Sequence, residues 1–159
     1  MNIKVIAALS IVTSALAIVA ATTFSDAAVQ ASTARADPGQ EMTIYRAPGC
    51  GCCDSYAEYM EKNGYSVTVK DDRNFDQRSV DAGVPARGIG CHLAVVDGYL
   101  VSGLVPAEIV DRLLEERPDI KGITLPGMPP NAPGMAAVKS GTLKIYGFGD
   151  EGISVYSNE

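Results

Sequence analysis

Ala47-Pro48-Gly49-Cys50-Gly51-Cys52-Cys53 is the stretch on which the reading of this chain turns. Three of the four cysteines fall within these four last positions, between an apolar strand-like run at 42–45 and a helix-like run at 54–63. Two spacings are superimposed. Cys50 and Cys53 form a Cys-x-x-Cys pair, the usual redox spacing, while Cys50 and Cys52 form a tighter Cys-x-Cys. A disulfide exchanger needs only the first pair. A third thiolate beside it adds charge repulsion and no redox gain, unless a soft cation gathers all three.

Working outward, the chain alternates strand and helix signals. Residues 42–46 read as a short strand, and Pro48-Gly49 turns the chain into the cysteines. A helix is predicted over 53–63, with Tyr56, Tyr59 and Met60 on one face and Gly64 stopping it at C′. Residues 65–70 alternate as a second strand, and 75–82 form a short helix closed by Gly83. A Gly-rich approach, 84–92, leads to a strand at 93–96. Asp97-Gly98 is a two-residue hairpin signal, so 99–102 pairs antiparallel with it. Pro106 opens an amphipathic helix with Ile109, Val110, Leu113 and Leu114 as its buried stripe, ended by Pro118. The order β-α-β-α-β-β-α, with Cys-x-x-Cys between the first strand and first helix, is that of an α/β thioredoxin-like fold. Residues 126–135, six of them Pro or Gly, form a loop that is neither helix nor strand. Residues 143–148 and 153–156 read as a C-terminal β-hairpin that extends or flanks the sheet.

The N-terminus reads differently. Lys4 precedes an uncharged apolar run from Val5 to Ala21, 17 residues long, followed by a stretch rich in Ala, Ser and Thr. This is the pattern of an export signal, and the run is short for a span of about 20 residues. Both Ser25-Asp26-Ala27 and Ala34-Arg35-Ala36 satisfy the small-x-small cleavage rule, and an uncleaved anchor is the alternative. The expected organisation is signal peptide and spacer over 1–36 and one thioredoxin-like metal-binding domain over 37–159, working in the periplasm without stable membrane insertion after cleavage. Removing Lys4, Arg35 and Asp26 from 13 basic and 19 acidic residues leaves 11 and 18, a net charge of −7. So acidic a chain, with no basic run, is a poor partner for nucleic acid or anionic lipid.

In a thioredoxin-like fold the loop entering the third strand lies against the Cys-x-x-Cys segment. Here Cys91-His92 occupies that place, so the fourth cysteine and the only histidine are expected to face Cys50, Cys52 and Cys53. Four thiolates and one imidazole make a softer set than a hydrolytic zinc site. Met128 and Met135, each directly after Gly in the stiff loop, offer thioethers of the kind Cu(I) accepts, or else plug the underside of the domain. The first cysteines also sit at a helix N-terminus, where free N–H groups favour thiolate anions, whether as ligands or nucleophiles.

With these parts in order, the chain resembles the periplasmic copper-resistance proteins of the CopG type. The resemblance covers about residues 41–157 and rests on Tyr45-Arg46-Ala47-Pro48-Gly49-Cys50-Gly51-Cys52-Cys53, Cys91-His92, Val105-Pro106-Ala107 and Leu125-Pro126-Gly127-Met128-Pro129. It implies a thioredoxin-like fold with a cysteine-bridged multicopper cluster and a role in copper handling or copper redox chemistry. On matching positions it implies Cys50, Cys52, Cys53 and Cys91 as metal ligands, with His92 and a loop methionine such as Met128 as further candidate ligands. The expected function is therefore a periplasmic copper-binding protein of resistance or homeostasis, holding Cu(I) in a multinuclear site, with copper oxidoreductase activity left open. Copper ions, and copper-export or copper-carrier proteins, are the expected partners. The alternatives are a thiol–disulfide oxidoreductase using Cys50 and Cys53, a zinc or iron–sulfur site, and a purely structural pairing of Cys50–Cys53 with Cys52–Cys91.

Overall fold

Alternating apolar residues make the first strand of the computed structural model, which describes residues 39–137 and 139–159. The signal and spacer expected over 1–36 lie outside the described residues. In β1 (Gln40–Arg46) Met42 and Ile44 are buried on one face. The chain continues through α1 (Gly51–Lys62), β2 (Tyr65–Asp71), α2 (Phe75–Asp81), a 3₁₀ turn (Ala86–Gly88), β3 (His92–Val96), β4 (Tyr99–Ser102) and α3 (Ala107–Glu116). Three further strands follow: β5 (Gly122–Thr124), β6 (Lys144–Gly149) and β7 (Gly152–Asn158).

All seven strands form one sheet in the order β2-β1-β3-β4-β5-β6-β7. β1 and β2 are parallel across α1, and β3 runs antiparallel to β1 with Arg46 level with His92. The Asp97-Gly98 turn, both residues at positive φ, joins β3 to β4 as the sequence predicts. The fold is thioredoxin-like α/β. The larger core lies on one face, where Tyr56 and Met60 of α1 and Ile109, Val110 and Leu113 of α3 pack on Met42, Ile44, Ala94, Val96, Val101 and Ile123. A smaller cluster of Val84, Leu93 and Phe148 sits apart from it, with Ile89 and Leu100 at its edge. Leu93 and Ala94 serve different clusters because neighbouring strand residues point to opposite faces.

Two differences from the sequence reading matter. Helix α1 starts at Gly51 rather than at residue 53. Pro48 and Gly49 (φ +77°) close a tight turn in which the Cys50 N–H bonds the Ala47 carbonyl at 3.2 Å, so the helix starts at once. The second is β5, for which no strand is expected. It pairs parallel to β4 across α3, giving a second βαβ unit, and antiparallel to β6. The terminal hairpin therefore extends the sheet. Gly122 permits this approach, because a Cβ there would lie 2.0 Å from the Leu100 carbonyl oxygen.

Helix α3 ends on Arg117 in the left-handed conformation before Pro118. Among the described residues no helix is long and apolar enough to cross a membrane.

The tightest backbone approach joins the loop before β3 to the end of β4. A Cβ on Gly90 would stand 2.2 Å from the Gly103 Cα and 2.5 Å from its nitrogen. Backbone atoms cannot yield as a flexible side chain can. Gly90→Ala is expected to destabilise the fold by about 3 kcal/mol, read from the midpoint of denaturant unfolding. A midpoint equal to that of the parent protein would show that the two loops separate freely.

Candidate metal centre

The Pro48-Gly49 turn places Cys50 at the N-cap of α1, with Cys52 and Cys53 in its first turn. The first turn of a helix brings residues three apart together, and the Cα atoms of Cys50 and Cys53 are 5.3 Å apart. Their sulfurs are joined as a disulfide, while Cys52 and Cys91 are free. Cys53 is fully buried, and its sulfur lies 3.4 Å from the Cys91 carbonyl oxygen. The Cys52 sulfur is 3.4 Å from that of Cys50 and faces outward.

Cys91 arrives on the loop before β3. That loop is held by the Ser102 hydroxyl, which accepts from the Gly90 N–H at 3.0 Å, and by the Thr124 hydroxyl, which donates to the Gly88 carbonyl. The Gly103 N–H donates to the His92 carbonyl at 3.0 Å. Strand β5 then feeds residues 125–128 alongside, with Gly127 bridged in parallel to Gly90 and its N–H bonded to the Ile89 carbonyl at 3.3 Å. The residues that follow the bridge on its two sides are Cys91 and Met128. The missed strand is thus what delivers the methionine.

The result is a sulfur cluster. The sulfurs of Cys50, Cys52, Cys53 and Cys91 all lie within 4.8 Å of one another. The Met128 thioether is 4.0 Å from the Cys52 sulfur on the outer side, with the residue 56% exposed. Met135 goes elsewhere, lining a surface groove together with Ser55, Glu58, Tyr59 and Lys62 on the flank of α1. Its loop passes so close to α1 that a Cβ on Gly134 would lie 2.6 Å from the Cys52 carbonyl oxygen.

His92 is fully buried beside this cluster and outside its sulfur set. Its Nδ1 is 3.4 Å from the Cys91 sulfur, its ring lies against that of Tyr56 with centroids 4.7 Å apart and planes tilted by 36°, and its Nε2 has no hydrogen-bond partner among the described residues. Tyr56 is fixed in turn by donating its hydroxyl to the Val105 carbonyl at 2.7 Å. Burial drives the His92 pKa down to about 3, so the ring is neutral. Burial, reinforced by Cys52, pushes the Cys91 thiol up to about 12. Cys91 is therefore a thiol in this form, and a cation taking its place among the ligands would have to displace that proton.

The donor set suits a soft metal. Sulfur ligands select Cu(I), zinc or iron–sulfur clusters over hard cations, and the set contains no carboxylate. Reduction of the Cys50–Cys53 disulfide would offer four cysteine sulfurs at one place.

A family model described as "Protein of unknown function, DUF411" matches residues 88–135, the segment that carries Cys91, His92, Met128 and Met135. Two solved structures named copper resistance protein CopG, forms 1 and 2, each match with a TM-score of 0.69 at 32% identity. The match covers 76% of this chain and 98% of each of theirs. The chain belongs to the CopG family. No curated protein sequence matches it. The resemblance read from the cysteine, Cys-His and Pro-Gly-Met motifs is thereby borne out at the level of the family and of the CopG-type fold.

The buried imidazole makes this CopG-family protein acid-sensitive. In the unfolded chain histidine titrates near 6.5, whereas in the folded chain it stays neutral to about pH 3. Between those values the unfolded state binds more protons, so stability falls as pH drops through the window. The metal-free protein is expected to lose stability to denaturant from about pH 6.5 towards pH 3, and His92→Phe to flatten that slope. An equal slope in both proteins would exclude His92 as its source.

Proposed function

We propose that the chain is a periplasmic copper-binding protein of copper resistance or homeostasis, holding Cu(I) between bridging thiolates. The observation that carries this reading is the convergence of four cysteine sulfurs within 4.8 Å of one another. Kinship with proteins named for copper resistance supports copper over zinc or iron. The ligands are Cys50, Cys52, Cys53 and Cys91. Met128 stands at 4.0 Å from Cys52 as an outer thioether donor, and His92 orients Cys91 from behind.

The adjacency of Cys52 and Cys53 on one helical turn favours more than one metal ion. Two adjacent residues on one turn offer their sulfurs to the same cluster, which suits thiolates shared between ions better than one tetrahedral centre. Copper here is cargo, held to lower its free concentration or to change its oxidation state. The working domain is residues 37–159, exported by the signal over 1–36. Its partners are copper ions and the export or carrier proteins that exchange them.

A second reading is supported by one observation, the Cys50–Cys53 disulfide at a helix N-terminus. It makes the chain a thiol–disulfide oxidoreductase with Cys50 as nucleophile. Against it, the Cys52 sulfur lies 3.4 Å from that of Cys50, where it would compete for any mixed disulfide.

Anaerobic titration with Cu(I) separates the two. Reduced protein is expected to take up more than one Cu(I) per chain, and Cys52→Ser to lose that excess. The disulfide form, with two of four sulfurs blocked, is expected to bind at most half as many ions. If reduced protein and Cys52→Ser alike bind one ion or none, while both reduce insulin disulfides, the oxidoreductase reading replaces the copper site.

A further inference from the structure

Arg46 is the last residue of β1 and the first before the cysteine turn. Its side chain is only 14% exposed, unusual for arginine; both terminal guanidinium nitrogens are engaged, while the buried Nε has no hydrogen-bond partner among the described residues. One guanidinium nitrogen donates to the Ala47 carbonyl at 3.1 Å and reaches the Asp71 carboxylate, also at 3.1 Å. The other terminal nitrogen lies 3.0 Å from the Asp54 carboxylate. Ala47 opens the cysteine segment and Asp54 closes it, while Asp71 ends the neighbouring strand β2. One side chain therefore ties both ends of the segment to each other and to the sheet.

The sheet register makes this tie relevant to the fourth cysteine too. Arg46 is paired with Asp71 on one side and with His92 on the other, so a single rung crosses β2, β1 and β3. Cys91 immediately precedes His92. The Arg46 backbone carbonyl also accepts from the Asp72 N–H at 2.8 Å, which extends the rung by one residue.

Resting on the copper reading above, we infer that Arg46 is a positioning residue that fixes the Ala47–Asp54 segment so that Cys50, Cys52 and Cys53 meet Cys91. A planar fork matters here, because three acceptors in different directions are reached from one group. Lysine keeps the charge but offers a single point donor. Residues that orient metal ligands from outside typically change metal affinity by about 10–100-fold.

The test uses Arg46→Met, Arg46→Lys, Asp54→Asn and, as a surface control, Lys121→Met, which loses the same charge at the exposed pair with Asp150. Two readouts are taken on each: Cu(I) affinity by competition with a chelator, and, without metal, the Cys50–Cys53 dithiol–disulfide equilibrium in a glutathione buffer. Arg46→Met is expected to bind Cu(I) about tenfold more weakly and to shift the disulfide equilibrium. Arg46→Lys should recover only part of each effect, Asp54→Asn should show the same changes to a smaller degree, and Lys121→Met should match the parent. Asp54→Asn keeps the informative comparison should Arg46→Met fail to fold. If the Arg46 and Asp54 variants match the parent in both readouts, the inference is overturned. If Lys121→Met shifts as far as Arg46→Met, the effect is bulk charge, which also overturns it. Failure of the parent itself to bind Cu(I) would instead remove the copper reading, and the metal-free equilibrium would still test Arg46.

Discussion

The structure depends on a contact that only glycine permits: Gly90 lying with its Cα against the backbone of Gly103, with Gly127 bridged to Gly90. Three loops meet there, one before β3, one after β4 and one after β5. A side chain at Gly90 would force them apart, and the sulfur of Cys91 would move with the first loop. The contact lies next to the cluster and is made entirely of backbone. The site is thus set by how closely main chains pack, with the Gly90 N–H donating to the Ser102 hydroxyl and the Thr124 hydroxyl donating to the Gly88 carbonyl to close the remaining gaps.

That arrangement explains a division of labour among the polar residues. On the sheet side, Tyr56 and His92 are fully buried and support Cys91 from below. At the edge, Arg46 gathers carbonyl and carboxylate groups around the cysteine turn. Outside, Met128 is exposed and stands over Cys52. The outermost donors are therefore the accessible ones and Cys53, fully buried, is the most protected. This polarity suits a cargo ion that arrives and leaves through Cys52 and Met128.

Much of this was legible from local patterns. Apolar runs gave β1 and β3, alternation gave β2, the Asp97-Gly98 pair gave β4 as the hairpin partner of β3, and the stripe of Ile109, Val110 and Leu113 gave α3. The placement of Cys91 opposite the first three cysteines followed from the order of elements alone. Strand β5 was not legible, because Gly122-Ile123-Thr124 is too short to show alternation and its pairing with β4 is non-local. Without β5 the sequence could not tell Met128 from Met135, both of which follow a glycine in one loop. Arg46 was passed over for a similar reason: its partners Asp54 and Asp71 are eight and 25 residues away, and no pattern links them. His92 could be placed beside the cysteines but not in depth, since burial of a lone histidine leaves no trace in sequence.

The central claim is that cysteine thiolates are shared between copper ions, and X-ray absorption at the copper edge of the Cu(I)-loaded, reduced protein tests it most directly. The account predicts a first shell of sulfur with a second, short copper–copper distance that only a bridging sulfur can hold. A first shell of nitrogen and oxygen, or a sulfur shell with no copper–copper scattering at full loading, would contradict it.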